Sequence, residues 1–265
     1  MKDTFTYLRK LEEFKCSESY QLFLLLLEHR QVISILRINY RELITNISAH
    51  NQFKYHSKFW NNKNPKFRKR IQLNIIRLLS NYLSNVSAVI DYSRKHSKKY
   101  NEHNSSLFGT FKLEIKTNFD LNPHHKFLQD LRNHISHNTY LKINSEYSLN
   151  ILWDRPKKNI FLKKEELLKW ENWNKLSRNF IDSSDKNIYI LDVIQTHFLT
   201  FIKFQNWCYL ALIYTHKDFV LQHKKDTKEI FAESLKSNLF NTLPFNESYF
   251  RYLDYLIKQS TSQFS

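Results

Sequence analysis

Apolar residues recur at steps of three and four along most of this chain, which is the spacing of one face of an α-helix. From residue 66 to 99 the stripe runs Ile71, Ile75, Leu78, Leu79, Tyr82, Val86, Val89 and Ile90, and predicts a long helix ending in the polar run SRKHSKKYNEHNSS. An earlier helix is predicted over residues 18–48, with Ser17 as its N-cap and Leu25, Val32, Ile35, Leu36, Leu43 and Ile47 as its apolar set. NNKNP at 61–65 separates the two as a turn. A short helix is predicted over 106–119 around Gly109, and another opens at Asn122-Pro123, a cap followed by proline at the first helical position, and runs to about Asn138.

Beyond residue 140 the period changes from 3.6 to two. YLKIN and YSLNILW alternate apolar and polar positions, NIFL extends the pattern, and NSE and DRPKKN supply turns, so residues 140–163 predict a small antiparallel hairpin or ribbon. Helical spacing resumes at KKEELLKWENWNKL, breaks at SSDKN (183–187), and returns as one very long helical segment over 188–238. NTLPFN at 241–246 is a turn before a last short helix. The fold class expected is mainly α. It is an antiparallel helical bundle with a small β insertion and long C-terminal helices, forming one integrated domain over 1–265 with sections 1–139, 140–163 and 164–265.

Composition strengthens the helical reading. One Gly and four Pro in 265 residues leave few tight turns, and 42% hydrophobic content, with 21 Phe and 15 Tyr, can fill a sizeable core. With one Gly, Gly-rich phosphate loops and the GxSxG nucleophile turn are excluded. Net charge is +16 and the pI about 9.6, so a polyanion, nucleic acid first, is the expected partner, the other reading being a Lys-enriched solvated surface. Basic residues are spread along the chain, with a cluster at Lys66, Arg68, Lys69 and Arg70 placed where cations oppose a helix dipole, which reads either as a set of phosphate contacts or as a plain solvated helix end. Cys16 and Cys208 read as unpaired thiols of a reducing compartment. MKDTFTYLRKLEEF lacks a signal peptide's apolar centre, and Lys203, Gln205 and Asn206 interrupt the apolar run at 198–214, so no membrane association is expected and the location expected is cytoplasmic.

The chemistry concentrates in FLQDLRNHISHNTY (127–140). At 100° per residue, Phe127, Leu128, Leu131 and Ile135 share one arc, which is the buried stripe. Arg132 flanks it on one side, and Asp130, Asn133, His134 and His137 on the other. Arg132 and His137 are five positions, or about 140°, apart. A guanidinium can grip phosphate oxygens, and an imidazole can take the proton of a ribose 2′-OH or protonate the leaving 5′-oxygen. The 2′-OH is its own nucleophile, so such a site needs neither a metal nor any other cofactor. Other readings of these residues are an Arg132–Asp130 pair with surface histidines, and a divalent-metal set of Asp130, His134 and His137 extended by His124 and His125. Trp170 and Trp173 could stack bases but read foremost as packing.

The run Arg132-Asn133-His134-Ile135-Ser136-His137 resembles the motif of the HEPN superfamily: Arg, a polar residue such as Asn, and His after four to six intervening residues. The likeness extends over residues 65–180, through LLSNYLSNVSAVIDY, FLQDLRNHISH, a strand pair and ELLKWENW. A toxin subgroup carries Tyr two residues after the His; here Thr139 stands there and Tyr140 comes third. The resemblance implies a metal-independent endoribonuclease working as a homodimer, with Arg132, Asn133 and His137 catalytic. Lys66, Arg68, Lys69, Arg70 and His134 are the candidate RNA contacts. The resemblance also implies a toxin or effector role in bacterial stress or phage defence, with an antitoxin or defence-system partner. Asp91 and Glu114 are candidates for a supporting acid. The alternative is a non-catalytic RNA- or protein-binding module acting as scaffold or regulator.

Overall fold

A computed structural model of the protein describes residues 2–50, 65–103, 105–137, 141–145, 160–236 and 247–264. Among these the chain is mostly helical. The helices are α1 (Lys2–Lys15), α2 (Glu18–His50), α3 (Pro65–His103), α4 (Ser105–Ile115), α5 (Pro123–His137), α6 (Lys164–Leu167), α7 (Lys175–Ser183), α8 (Ile190–Thr215), α9 (Lys217–Lys236) and α10 (Glu247–Phe264). The strands are β1 (Asn144–Ser145), β2 (Ile160–Lys163) and β3 (Asn187–Tyr189).

The apolar stripe of α3 is buried as the spacing predicts, from Ile71 through Val89. That of α2 differs in phase. Ile33, not Val32 or Ile35, faces the interior, and Ile35 is half exposed at 50%. The inward face runs Leu25, His29, Ile33, Leu36, Leu43, Ile47, and a histidine carries it across the gap that aliphatic residues alone leave. Ser17 caps α2 as expected, its Oγ accepting the Tyr20 N–H at 3.2 Å. The helix over 2–15 is an addition to the sequence reading; its inward residues are Tyr7 and Phe14.

Three predicted segments break differently. The helix expected over 106–119 is α4 followed by a π-helical turn, Lys116–Asp120, which buries Phe119. The helix expected from KKEELLKWENWNKL is interrupted between α6 and α7. Two N–H groups converge on the Leu167 carbonyl, from the Trp173 indole at 2.7 Å and the Trp170 backbone at 3.1 Å, and end α6 there. Asn174 then caps α7 by accepting the Ser177 N–H at 3.0 Å. The single helix expected over 188–238 is β3, α8 and α9. The α8–α9 break is one residue, His216, and the backbone bonds His216 N to Leu212 O and Val220 N to His216 O bridge it.

The sheet is antiparallel, in the order β1-β2-β3, with Phe161 opposite both Asn144 and Tyr189. β1 and β2 fall inside the ribbon predicted at 140–163. The third strand comes from beyond residue 183, and the predicted strand YSLNILW lies outside the described residues. Ile160, Phe161 and Leu162 are all buried, as the middle strand of a covered sheet requires.

The chain divides into two compact units, each assembled from separated segments. One comprises residues 1–32, 95–109 and 205–265; the other comprises 33–94 and 110–204. In the first, Tyr7 and Phe14 of α1 cluster with Ile230 of α9 and Phe250 of α10. In the second, α5 packs on α7 and on the π-helical turn. Among the described residues no helix is long and apolar enough to cross a membrane.

Candidate functional site

Helix α5 lies wholly in the second unit. Asn122 starts it, its Oδ1 accepting the His125 N–H at 3.2 Å, with Pro123 at the first helical position. Phe127, Leu128 and Leu131 are buried, and Phe127 packs on Trp173 and Phe180 with ring centroids 5.6 and 4.9 Å away. That packing fixes the helix and so the directions of its polar groups.

The flanks separate as the helical wheel requires. On one side Arg132 is half-buried and its Nη1 donates to Ser87 Oγ of α3 at 3.0 Å. Ser87 in turn donates to the Leu83 carbonyl at 3.3 Å, so its oxygen is held in place for the guanidinium. No carboxylate bonds Arg132 among the described residues; the expected partner Asp130 points elsewhere. Asp130 is buried, and its Oδ2 accepts from the Asn174 backbone N–H at 2.9 Å and from the Asn174 amide at 2.7 Å. That carboxylate is committed to holding the start of α7, which also removes it from a metal set with His134 and His137. Among the described residues no group of three metal-ligating side chains is found.

On the other side His134 is half-buried against Trp170 and Trp173, with centroids 4.9 and 6.0 Å away. This desolvation holds its proton affinity below the ordinary value. The two tryptophans pack edge to face at 4.6 Å, and Trp173 is buried, in line with a packing role. Asn133 and His137 are exposed, His137 at the last position of the helix. Lys66, Lys69 and Arg70 are exposed in the first two turns of α3, while the side chain of Arg68 lies outside the described residues.

Arg132 lines a polar cleft of about 170 Å³ together with Ser87, Arg94, His125 and Lys126. Asp91 and Asp120 lie on its rim, paired to Arg94 at 3.5 Å and to Lys126 at 3.6 Å. His137 does not line this cleft, so in a single chain the Arg and His of the motif open onto different surfaces. Glu114, the other candidate acid, is likewise absent from the cleft wall; its carboxylate accepts from the Asn118 amide at 2.7 Å.

Sequence reasoning missed a buried chain behind the cleft. His125 Nδ1 lies 3.0 Å from His197 Nε2, and His197 Nδ1 lies 2.8 Å from the Tyr82 hydroxyl. Burial pushes His125 down to about 4 and His197 to about 3, so both rings are neutral near pH 7, and it raises the Tyr82 hydroxyl well above its usual range. The signal was present in the periodicity: Ile190, Ile194, His197, Phe201 and Phe204 step by three and four, with the histidine inside the apolar stripe.

A larger cavity, about 540 Å³, belongs to the first unit and contains none of these residues. Its walls are chiefly apolar and aromatic, with Arg30 over the Tyr252 ring at 5.0 Å. It offers bulk apolar space, whereas the smaller cleft gathers the cationic and imidazole groups that phosphoryl chemistry uses. Comparison with protein-family models, curated proteins and solved structures gives no match to this chain.

Proposed function

We propose that the protein is a metal-independent endoribonuclease of the HEPN type, acting as a homodimer and serving as a toxin or effector in bacterial stress or phage defence. The observation that carries this reading is the state of Arg132. It is a half-buried guanidinium positioned by a hydroxyl and, among the described residues, not neutralised by a carboxylate, on a cleft that also holds Arg94 and Lys126. A half-buried fork of this kind suits a phosphate. The net charge of +16 supplies long-range attraction for RNA.

In the homodimer proposed, His137, exposed on the same helix, meets the cleft of the second copy. There it takes the proton of a ribose 2′-OH. The 2′-oxygen attacks phosphorus, the bond to the 5′-oxygen breaks, and the leaving oxygen takes a proton from an imidazolium. The products are a 2′,3′-cyclic phosphate and a 5′-OH. Arg132 balances charge on the non-bridging oxygens, and Asn133 orients the groups. Purified protein is expected to degrade RNA in EDTA. His137→Ala should lower the rate by about 10²- to 10⁴-fold and Arg132→Ala by a similar factor, with circular dichroism unchanged. Full activity in His137→Ala overturns the assignment.

The separation of Arg132 and His137 within one chain favours a second reading, a non-catalytic module that binds RNA or a partner protein through its basic surface. A monomer that binds RNA with steep salt dependence and forms no cyclic-phosphate product supports that reading over the first.

A further inference from the structure

The hydrogen-bond chain behind the cleft decides what the cleft accepts. With both rings neutral, each carries one N–H, and two arrangements are open. In one, His125 Nδ1–H donates to His197 and His197 Nδ1–H donates to the Tyr82 oxygen. The Tyr82 proton then has no acceptor among the described residues, where its one hydrogen-bond partner is His197 and the side chain is fully buried. A stranded buried donor costs about 1–3 kcal/mol. In the other, Tyr82 O–H donates to His197 Nδ1, and His197 Nε2–H donates to His125 Nδ1. Every proton is then placed, and His125 keeps its own on Nε2.

That nitrogen is the one left for the cleft. His125 Nδ1 is engaged by His197, the ring stacks on His197 at 5.3 Å, and Phe119 packs edge to face against it at 4.9 Å. Its Nε2 has no partner among the described residues and is not among the buried nitrogens that lack one, so it keeps some exposure, on a residue that lines the cleft. An N–H aimed into a cleft repels a cation and suits an anion. Beside it stand Arg132, Arg94 and Lys126, against the Asp91 and Asp120 rim, which leaves a formal excess of one positive charge. Both rim carboxylates are largely exposed and already paired, so solvent screens them. At about 170 Å³ the cleft is smaller than the ~300 Å³ at which whole-ligand pockets begin, and it fits a single phosphate group.

We propose that this cleft is an oxyanion site for one phosphate group, gripped by the Arg132 guanidinium and by the Nε2–H of His125, whose tautomer Tyr82 sets through His197. It deepens the nuclease reading by adding a phosphate-binding residue, and it rests on that reading only for Arg132 as a phosphate ligand. The phosphate belongs either to an RNA backbone or to a free phosphate or monoester.

The test uses the full chain with ring-¹⁵N-labelled histidine. Long-range ¹H–¹⁵N spectra at neutral pH are expected to show His125 and His197 both as Nε2–H. Inorganic phosphate, and separately a short oligodeoxynucleotide that cannot be cleaved, are titrated in. A saturable shift of the His125 ring with either probe supports the site: phosphate alone indicates a free-phosphate ligand, and the oligonucleotide indicates a backbone. His125→Gln should weaken phosphate binding by about tenfold or more. Tyr82→Phe should move His125 toward the Nδ1–H form and weaken binding with it. A His125 found as Nδ1–H in the unmutated protein, or a ring unmoved by both probes, overturns the proposal. RNA cleavage that fails while phosphate still binds removes the nuclease reading and leaves this site standing.

Discussion

Acidification from pH 7 to 5 should cost each unit of this protein about 4 kcal/mol, through four buried imidazoles. His29 and His223 lie in the first unit and His125 and His197 in the second, and burial pushes three of them down to about 4 and His197 to about 3. Below about pH 6.5 the unfolded chain binds a proton at each ring. The folded chain stays neutral until its lower pKa, so protons favour the unfolded state and stability falls with pH until about 4. At pH 5 a ring of ordinary affinity gains about 2 kcal/mol from its proton, and almost none at pH 7. The exact folded value hardly matters, because any pKa near 4 or below leaves the ring neutral at pH 5. Two rings per unit give about 4 kcal/mol, to set against a usual total of about 5–15. Carboxylates titrate mostly below pH 5, so this window reports chiefly the histidines. Urea unfolding by circular dichroism, at fixed ionic strength and about pH 7, 6 and 5, reads the effect directly. A midpoint that stays level or rises on acidification would refute the argument.

Asn174→Ala removes both the cap of α7 and the amide bonded to buried Asp130, and is expected to destabilise by about 2–3 kcal/mol in the same urea assay. The phase of α2 is tested by a pair of variants. Leu36→Ala should cost about 2–5 kcal/mol, and Ile35→Ala, one position away and half exposed, no more than about 0.5.

The helical frame was legible where apolar side chains alone carry the pattern. On α3 each position from Ile71 to Val89 in the predicted stripe is buried. It was misread where a polar ring substitutes for an apolar one: His29 keeps the α2 face in phase, and without it the eye slides to Val32 and Ile35. β3 was hidden for a related reason, since Asn187–Tyr189 adjoins the apolar start of α8 and shares its composition. At the site, the Asn122-Pro123 cap and the opposed flanks of α5 follow from local sequence. The partners of those flanks do not: Ser87 lies 45 residues before Arg132, Asn174 lies 44 after Asp130, and His197 lies 72 after His125. Pairings over such distances are set by tertiary packing, which periodicity does not encode.

The first unit closes its chain over an unusual span. Lys10 of α1 reaches Glu233 of α9 at 3.2 Å across 223 residues, beside the cluster of Tyr7 and Phe14 with Ile230 and Phe250. At roughly 5–20 residues per second, a ribosome needs roughly 10–45 s between making the two halves of that contact. Throughout that interval the aromatic side of the first helix has emerged and its partner does not yet exist. Synthesis order thus leaves the aromatic side of this helix incompletely covered until the residues of α9 and α10 have been made.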